Sequence, residues 1–131
     1  MIKKLQIYRC PVCGTIVELL DSYGRDLVCC GPLMVRLKEK IADEGDEEHM
    51  PIIETNAAGI TVSVGERPHP METQHYLKWI EIDFDSKRYR KSLKPGQEPV
   101  ATFDVWPQHV LVRAYCSVHG LWIGAQRCPV H

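Results

Sequence analysis

From about His49 onward the apolar positions of this chain recur every second residue. Ile60, Val62 and Val64 alternate with Thr61 and Ser63, and Val110, Val112, Ala114 and Cys116 alternate with Leu111, Arg113 and Tyr115. Ile80, Ile82 and Phe84 share one parity, Leu77 and Trp79 the other. Successive side chains of a strand point to opposite faces, so this period predicts strands with one face toward a core. It also places Leu77 and Trp79 on the face away from Ile80. Pro68, Pro70, Lys94-Pro95-Gly96, Pro99 and Pro107 punctuate the runs, and no long segment carries a 3.6-residue stripe. Short strands between Pro/Gly turns predict an all-β fold whose main part is an antiparallel, immunoglobulin-like sandwich.

The first part of the chain reads differently. Residues 1–36 hold short apolar runs, Leu5 to Tyr8, Ile16 to Leu20 and Leu33 to Leu37, separated by turn signals such as Pro11, Gly14 and Gly31-Pro32. A piece this small buries too little apolar surface to fold securely alone, so a metal or a partner chain is expected to hold it. Residues 37–48 read as an acidic linker or loop, 49–126 as the sandwich, and 127–131 as a loose tail.

Composition narrows the function. The chain has no apolar run of about 18 residues that would cross a membrane as a helix, and its first residues lack the pattern of a signal peptide. Sixteen basic and seventeen acidic side chains give a net charge of −1, which argues against a nucleic-acid binder. Asp43, Glu44, Asp46, Glu47 and Glu48 concentrate five of those acids, so sixteen basic side chains face twelve acidic ones elsewhere. Six Cys and six His are the informative residues. Disulfides would require a secreted context; in a reducing cytoplasm the same residues bind metal or do redox chemistry.

Cys10-Pro11-Val12-Cys13-Gly14 is a metal knuckle, two thiolates on one tight turn, and Cys29-Cys30 completes a set of four. Four soft thiolates suit zinc or a single iron. Adjacent residues on an extended chain point apart, so Cys29 and Cys30 reach one ion only if the backbone bends there. A structural zinc ribbon and a pair of disulfides are the competing readings. The segment resembles desulforedoxin, a small rubredoxin-like iron domain, and the resemblance implies an iron–tetrathiolate centre at Cys10, Cys13, Cys29 and Cys30.

A second group of metal-type residues is spread over the sandwich. Cys116 and His119 are three residues apart; His69 lies between Pro68 and Pro70, which stiffen its backbone. His75 precedes a strand, and His49 follows the acidic run. Spacing alone leaves a simple site of Cys116 and His119 as the competitor to a single five-donor site. The segments Glu47-Glu48-His49-Met50-Pro51-Ile52, His69-Pro70-Met71-Glu72-Thr73-Gln74-His75-Tyr76 and Cys116-Ser117-Val118-His119-Gly120 resemble three signatures of the superoxide reductases. With the four-cysteine segment in front, the chain resembles the two-iron members, the desulfoferrodoxins, from residue 1 to about Ala125.

That resemblance implies a second iron with His49, His69, His75 and His119 as equatorial ligands and Cys116 as the axial one, hence two iron ions per chain. The implied activity is reduction of superoxide to hydrogen peroxide without release of dioxygen. It also implies a homodimer, a rubredoxin-type electron donor and a cytoplasmic protein. The alternative is a non-catalytic electron carrier or structural zinc protein that uses only the four cysteines. Donation by the Cys116 thiolate would be moderated by amides, for which Val118, His119 and Gly120 are the candidates. The resemblance implies that Glu47 binds the open position of the oxidised iron and leaves when substrate arrives. The family motif often has Lys just before the first His, where this chain has Glu48; Arg67 or Lys78 is the expected replacement cation. His109, Trp79, Trp106 and Trp122 read as structural, and Cys128 as a free thiol on the tail.

Overall fold

The computed structural model describes residues 6–21, 24–41, 49–65 and 69–130, and every regular element among them is a strand. In chain order these are β1 (Ile7–Arg9), β2 (Ile16–Glu18), β3 (Val35–Arg36), β4 (Lys40–Ile41), β5 (Pro51–Asn56) and β6 (Gly59–Val64). They continue with β7 (Met71–Glu72), β8 (His75–Phe84), β9 (Lys87–Ser92), β10 (Val100–Phe103), β11 (His109–Cys116) and β12 (Gly120–Arg127). The chain divides into two compact units, Lys3–Lys38 and a larger one that takes in Glu39–His131. Among the described residues no helix is long and apolar enough to cross a membrane.

The small unit is a three-stranded sheet in the order β2-β1-β3. Ile7 is buried, whereas Val12, Leu20, Val28, Leu33 and Val35 are exposed. Its apolar core is therefore slight, as its length dictates.

The larger unit packs a sheet of order β10-β6-β5 against a second sheet, β4-β12-β11-β8, in which β8 also pairs with β7 and β9. The period-two residues fill the space between. Ile60, Val62 and Val64 share one buried cluster with Ile80, Ile82, Val110, Val112 and Ala114. Each such side chain contributes about 1.5–3 kcal/mol by leaving water. The β5–β6 hairpin packs closely on the neighbouring backbone: a Cβ at Gly59 would stand 1.9 Å from the Phe103 carbonyl oxygen. The β8–β9 hairpin turns on Asp85 and Ser86, at φ 48° and 60°, the two-residue geometry that matches strand twist.

Three features differ from the sequence reading. Leu77 is fully buried in the core with Ile80, not on the opposite face. The cause is a bulge: Tyr115 pairs with Trp79 but Cys116 pairs with Leu77, so Lys78 is an extra residue and parity flips across it. Lys40–Ile41, in the segment read as linker, forms an edge strand, and its pairing with β12 is parallel. Cys128 does not sit on a loose tail: its side chain belongs to the core, and its amide donates to the Gln108 carbonyl at 2.7 Å. Burial pushes its thiol pKa up.

The outer face of the larger sheet is also buried, and it is charged. β8 and β9 set Glu81 opposite Arg90 and Asp83 opposite Arg88, while β11 sets Arg113 opposite Glu81. Arg113 makes two hydrogen bonds to Glu81, at 2.5 and 3.0 Å, Arg90 binds the same carboxylate, and Glu39 lies 3.6 Å from Arg113. Asp83 has only Arg88 at 3.3 Å among the ion pairs described. Burial, then the charge of Glu81, pushes its pKa up to about 7. The unfolded chain would release that proton near pH 4. Between these values the folded state holds the extra proton, so this group's contribution to stability falls as pH rises from about 4 to 7. Asp83→Asn removes that slope. The variant's denaturation midpoint, relative to wild type, is expected to be higher at pH 8 than at pH 5; a difference that does not change with pH would refute the assignment.

Candidate metal centres

The small unit assembles its four cysteines from two turns. Cys10 follows β1, and its carbonyl accepts the Gly14 amide at 3.0 Å, closing the knuckle; Gly14 takes φ 79°, which suits a residue without Cβ. The amides of Val12 and Cys13 both point at the Cys10 sulfur, each at 3.4 Å. Opposite them, Cys30 adopts φ 57°, a left-handed conformation that is costly for a residue with a side chain. This is the bend that adjacency requires, and it turns both sulfurs to one point. The Sγ atoms of Cys13 and Cys29 are 3.7 Å apart, and those of Cys29 and Cys30 3.8 Å. A tetrahedron with metal–sulfur bonds of about 2.3 Å has edges of about 3.8 Å.

The four thiols perturb one another strongly. The Thr15 hydroxyl, 3.0 Å from Cys13 Sγ, is the first cause that lowers the Cys13 pKa to about 6. The side chains of Cys10 and Cys13, then Cys30, push Cys29 up to about 12. Four sulfurs this close resist joint ionisation unless a cation sits among them, so the donor set fits a thiophilic metal. Thr15 was not singled out in the sequence, although a hydroxyl two residues beyond a knuckle cysteine is a readable signal.

The larger unit gathers four imidazoles at one end of the sandwich. Around the set, ring centroids are 5.0 Å apart for His49–His69, 5.1 Å for His69–His75, 4.9 Å for His75–His119 and 5.0 Å for His119–His49. The four sides are nearly equal, so the rings form a closed set in the order His49, His69, His75, His119, with His75 across from His49. The Nε2 atoms of His49 and His69 are 3.3 Å apart, and Cys116 Sγ is 3.7 Å from His119 Nδ1. Donor atoms of His49, His69, Cys116 and His119 all lie within 4.8 Å of one another. Neighbouring nitrogens on one ion, at bonds of about 2.1 Å, would be about 3.0 Å apart. The His49–His69 separation is thus close to what a shared metal needs.

Each donor has a local anchor. Gly65 donates to the Met50 carbonyl, closing β5 onto β6 beside His49. His69 Nδ1 lies 2.8 Å from the Pro70 carbonyl, which takes its hydrogen and leaves Nε2 as the donor atom. His75 opens β8 and pairs with Glu72 across the short β7–β8 hairpin. Ser117 ties the Cys116 loop to that hairpin: its amide donates to the Tyr76 carbonyl at 3.0 Å, and its hydroxyl oxygen accepts the Tyr76 amide at 3.0 Å. Of the three amides considered for the thiolate, that of His119 points at Cys116 Sγ, at 3.4 Å. His49 and His69 are buried, His75 and His119 half-buried.

Two residues outside the expected set join this cluster. Trp122 lies flat on His49, with centroids 4.2 Å apart and planes 7° from parallel. Lys40 donates to the His119 carbonyl at 2.7 Å. Lys40 and His119 are distant in sequence, so no local pattern announced their contact. Glu47, Glu48 and Arg67 lie outside the described residues. Lys78 occupies the bulge, with its ammonium 5.9 Å from the centroid of the Tyr76 ring. His109 is exposed at the other end of β11 from Cys116, Trp106 is exposed with its indole N–H on the Asn56 carbonyl, and Trp79 stacks on Tyr115.

Comparison with known proteins agrees in both units. The family model described as desulfoferrodoxin matches residues 41–125, and the model of the desulfoferrodoxin N-terminal domain matches residues 2–37. A desulfoferrodoxin homolog of Archaeoglobus fulgidus is 48% identical over 122 residues, covering 93% of this chain and 98% of its own. The crystal structure of the superoxide reductase from Treponema pallidum shares the fold with a TM-score of 0.74 at 22% identity, covering 92% of this chain and 98% of that one. The superoxide reductase (neelaredoxin) from Archaeoglobus fulgidus in the reduced form gives a TM-score of 0.54 at 28% identity, over 70% of this chain and 98% of its own.

The four-sulfur geometry makes a direct prediction. Cys30→Ser should weaken cobalt(II) binding at that site by at least about 100-fold, read from the sulfur-to-metal absorption, because losing a ligand costs no less than losing a ligand's hydrogen-bond partner. Metal bound by the imidazole cluster should be unchanged. Undiminished absorption in the variant would show that the four sulfurs do not share one ion.

Proposed function

We propose a function on one premise, that this chain belongs to the desulfoferrodoxin family: it is a superoxide reductase, an oxidoreductase that adds one electron and two protons to superoxide and releases hydrogen peroxide without dioxygen. The observation that carries the reading is the closed set of four neighbouring imidazoles with a thiolate beside it. In this reading Cys10, Cys13, Cys29 and Cys30, within 1–36, hold one iron. His49, His69, His75, His119 and Cys116, within 49–126, hold the catalytic one. Five protein donors exceed the four of a structural zinc site and leave a six-coordinate ion one position for a small anion. Bound there, iron supplies the electron by passing from the ferrous to the ferric state.

The chain's own residues set the conditions. The Pro70 carbonyl accepts from His69 Nδ1 and so fixes the ring orientation that presents Nε2. Stacking on Trp122 fixes the plane of the His49 ring. The His119 amide draws charge from Cys116 Sγ and so limits how strongly sulfur donates. The bonds between Ser117 and Tyr76 keep the thiolate loop and His75 in register, so the donors need little rearrangement to bind.

Further parts of the reading rest on the family resemblance. Glu47 occupies the open position in the oxidised protein and yields it to substrate. Glu48 puts a negative charge where the family motif often has a positive one. A rubredoxin-type protein delivers the electron, and the protein acts as a homodimer in the cytoplasm. Six cysteines outside any disulfide are in keeping with a reducing compartment, and the exposed Val12, Leu20, Val28, Leu33 and Val35 offer apolar surface for a second subunit.

Pulse-generated superoxide mixed with the reduced, iron-loaded protein tests the activity. The expected products are one hydrogen peroxide per superoxide consumed and no dioxygen. His75→Ala should lower the second-order rate by at least about 100-fold while the four-cysteine absorption persists. Dioxygen evolution, or an unreactive wild type, would refute the reading. For the entrance charge, Glu48→Lys is expected to raise the rate at low ionic strength by about 10-fold, with the gain shrinking as salt is added; a rate that does not rise removes Glu48 from substrate steering.

A further inference from the structure

The edge strand β4 brings a cation to the five-donor cluster. β4 pairs in parallel with β12, and the register sets Lys40 opposite Trp122. Lys40 Nζ donates to the carbonyl oxygen of His119 at 2.7 Å and stands 5.3 Å from the centroid of the Trp122 ring. That indole is the one that lies flat on His49. One side chain therefore touches the backbone of one imidazole residue and the ring that orients another. The hydrogen bond is charge-assisted, the strong kind, and it joins residues from two neighbouring strand ends.

We propose that Lys40 is a positioning residue of the metal centre: its ammonium fixes the His119 backbone and, through Trp122, the His49 ring, and its charge favours the lower oxidation state of the bound iron. The inference rests on the iron-binding reading above. The physical argument is electrostatic. A positive charge held at hydrogen-bond distance from the carbonyl of a ligating residue stabilises the ferrous state over the more positive ferric state, an effect that added salt weakens because Lys40 is exposed. Fixing two of the four rings also lowers the reorganisation that metal binding requires. This positioning role is distinct from the substrate attraction for which Arg67 or Lys78 is the expected cation.

The test is the midpoint potential of the five-donor iron, followed by its visible absorption during a redox titration, in wild type and four variants. Lys40→Met keeps the aliphatic stem but removes donor and charge; Lys40→Gln keeps a donor and removes only the charge. Both are expected to shift the ferric-to-ferrous ratio at a fixed applied potential toward ferric by about 3- to 10-fold, a tenfold change being 59 mV for one electron. Lys40→Arg, which restores charge and donor, should stay within about 2-fold of wild type. Lys87→Met removes an exposed lysine at the far end of β8 from His75 and should also match wild type.

A wild-type ratio in Lys40→Gln, or an equal shift in Lys87→Met, would overturn the proposal. The two readings fail separately. A wild type that binds iron but does not reduce superoxide sinks the activity and leaves the potentials readable. Unchanged potentials in an active protein sink only the role of Lys40.

Discussion

The two hydrogen bonds between Ser117 and Tyr76 hold the catalytic end of the sandwich together. One partner belongs to the loop that carries Cys116 and His119, the other to the strand that begins with His75. Joining them brings three of five donors into a fixed relation, although they come from distant parts of the chain. The bulge at Lys78 sits beside this junction and sets Leu77, not Lys78, against Cys116. The thiolate residue is consequently fully buried on the core face, while the loop beyond it remains at the rim. A sandwich provides rigid strands and leaves its chemistry to their ends, and that division of labour is visible here.

The two metal centres solve the same problem by different means. The four-cysteine unit has little core, so its order depends on turns built around sulfur: a glycine knuckle, two amides on Cys10, and a left-handed Cys30 whose cost a shared ion would help to offset. The imidazole centre is carried by a well-packed sandwich and is nearly assembled by protein contacts alone. Metal binding is expected to be part of folding in the first and closer to simple occupancy in the second.

The charged outer face of the larger sheet shows how a buried surface with little apolar content is made tolerable. Glu81 is satisfied by two arginines from neighbouring strands, which holds its pKa down despite burial. For Asp83, burial and then the charge of Glu81 outweigh the nearby Arg88 and Arg113, and its pKa is left raised. Cross-strand register, not local sequence, decides which carboxylate gets which partner.

Much of this was written in the residues themselves. Alternation of apolar and polar positions marked β6 and β11, because strand geometry has a period of two whatever the partners are. Spacing marked the four cysteines and the Cys116–His119 pair, because local turns depend on near neighbours; His49, His69 and His75 were joined to that pair only by the family resemblance. What the chain alone did not reveal were events that need two segments to meet. Leu77 changed face because a bulge arises only when β8 pairs with β11. Cys128 entered the core because β12 runs alongside β11 to its last residues. Lys40 reached His119 through a parallel strand pairing, and Trp122 reached His49 across the two sheets, contacts that no short-range pattern encodes. Sequence determined which groups were available and how each strand would face; tertiary structure decided which of them touch, since contact depends on register between strands far apart in the chain.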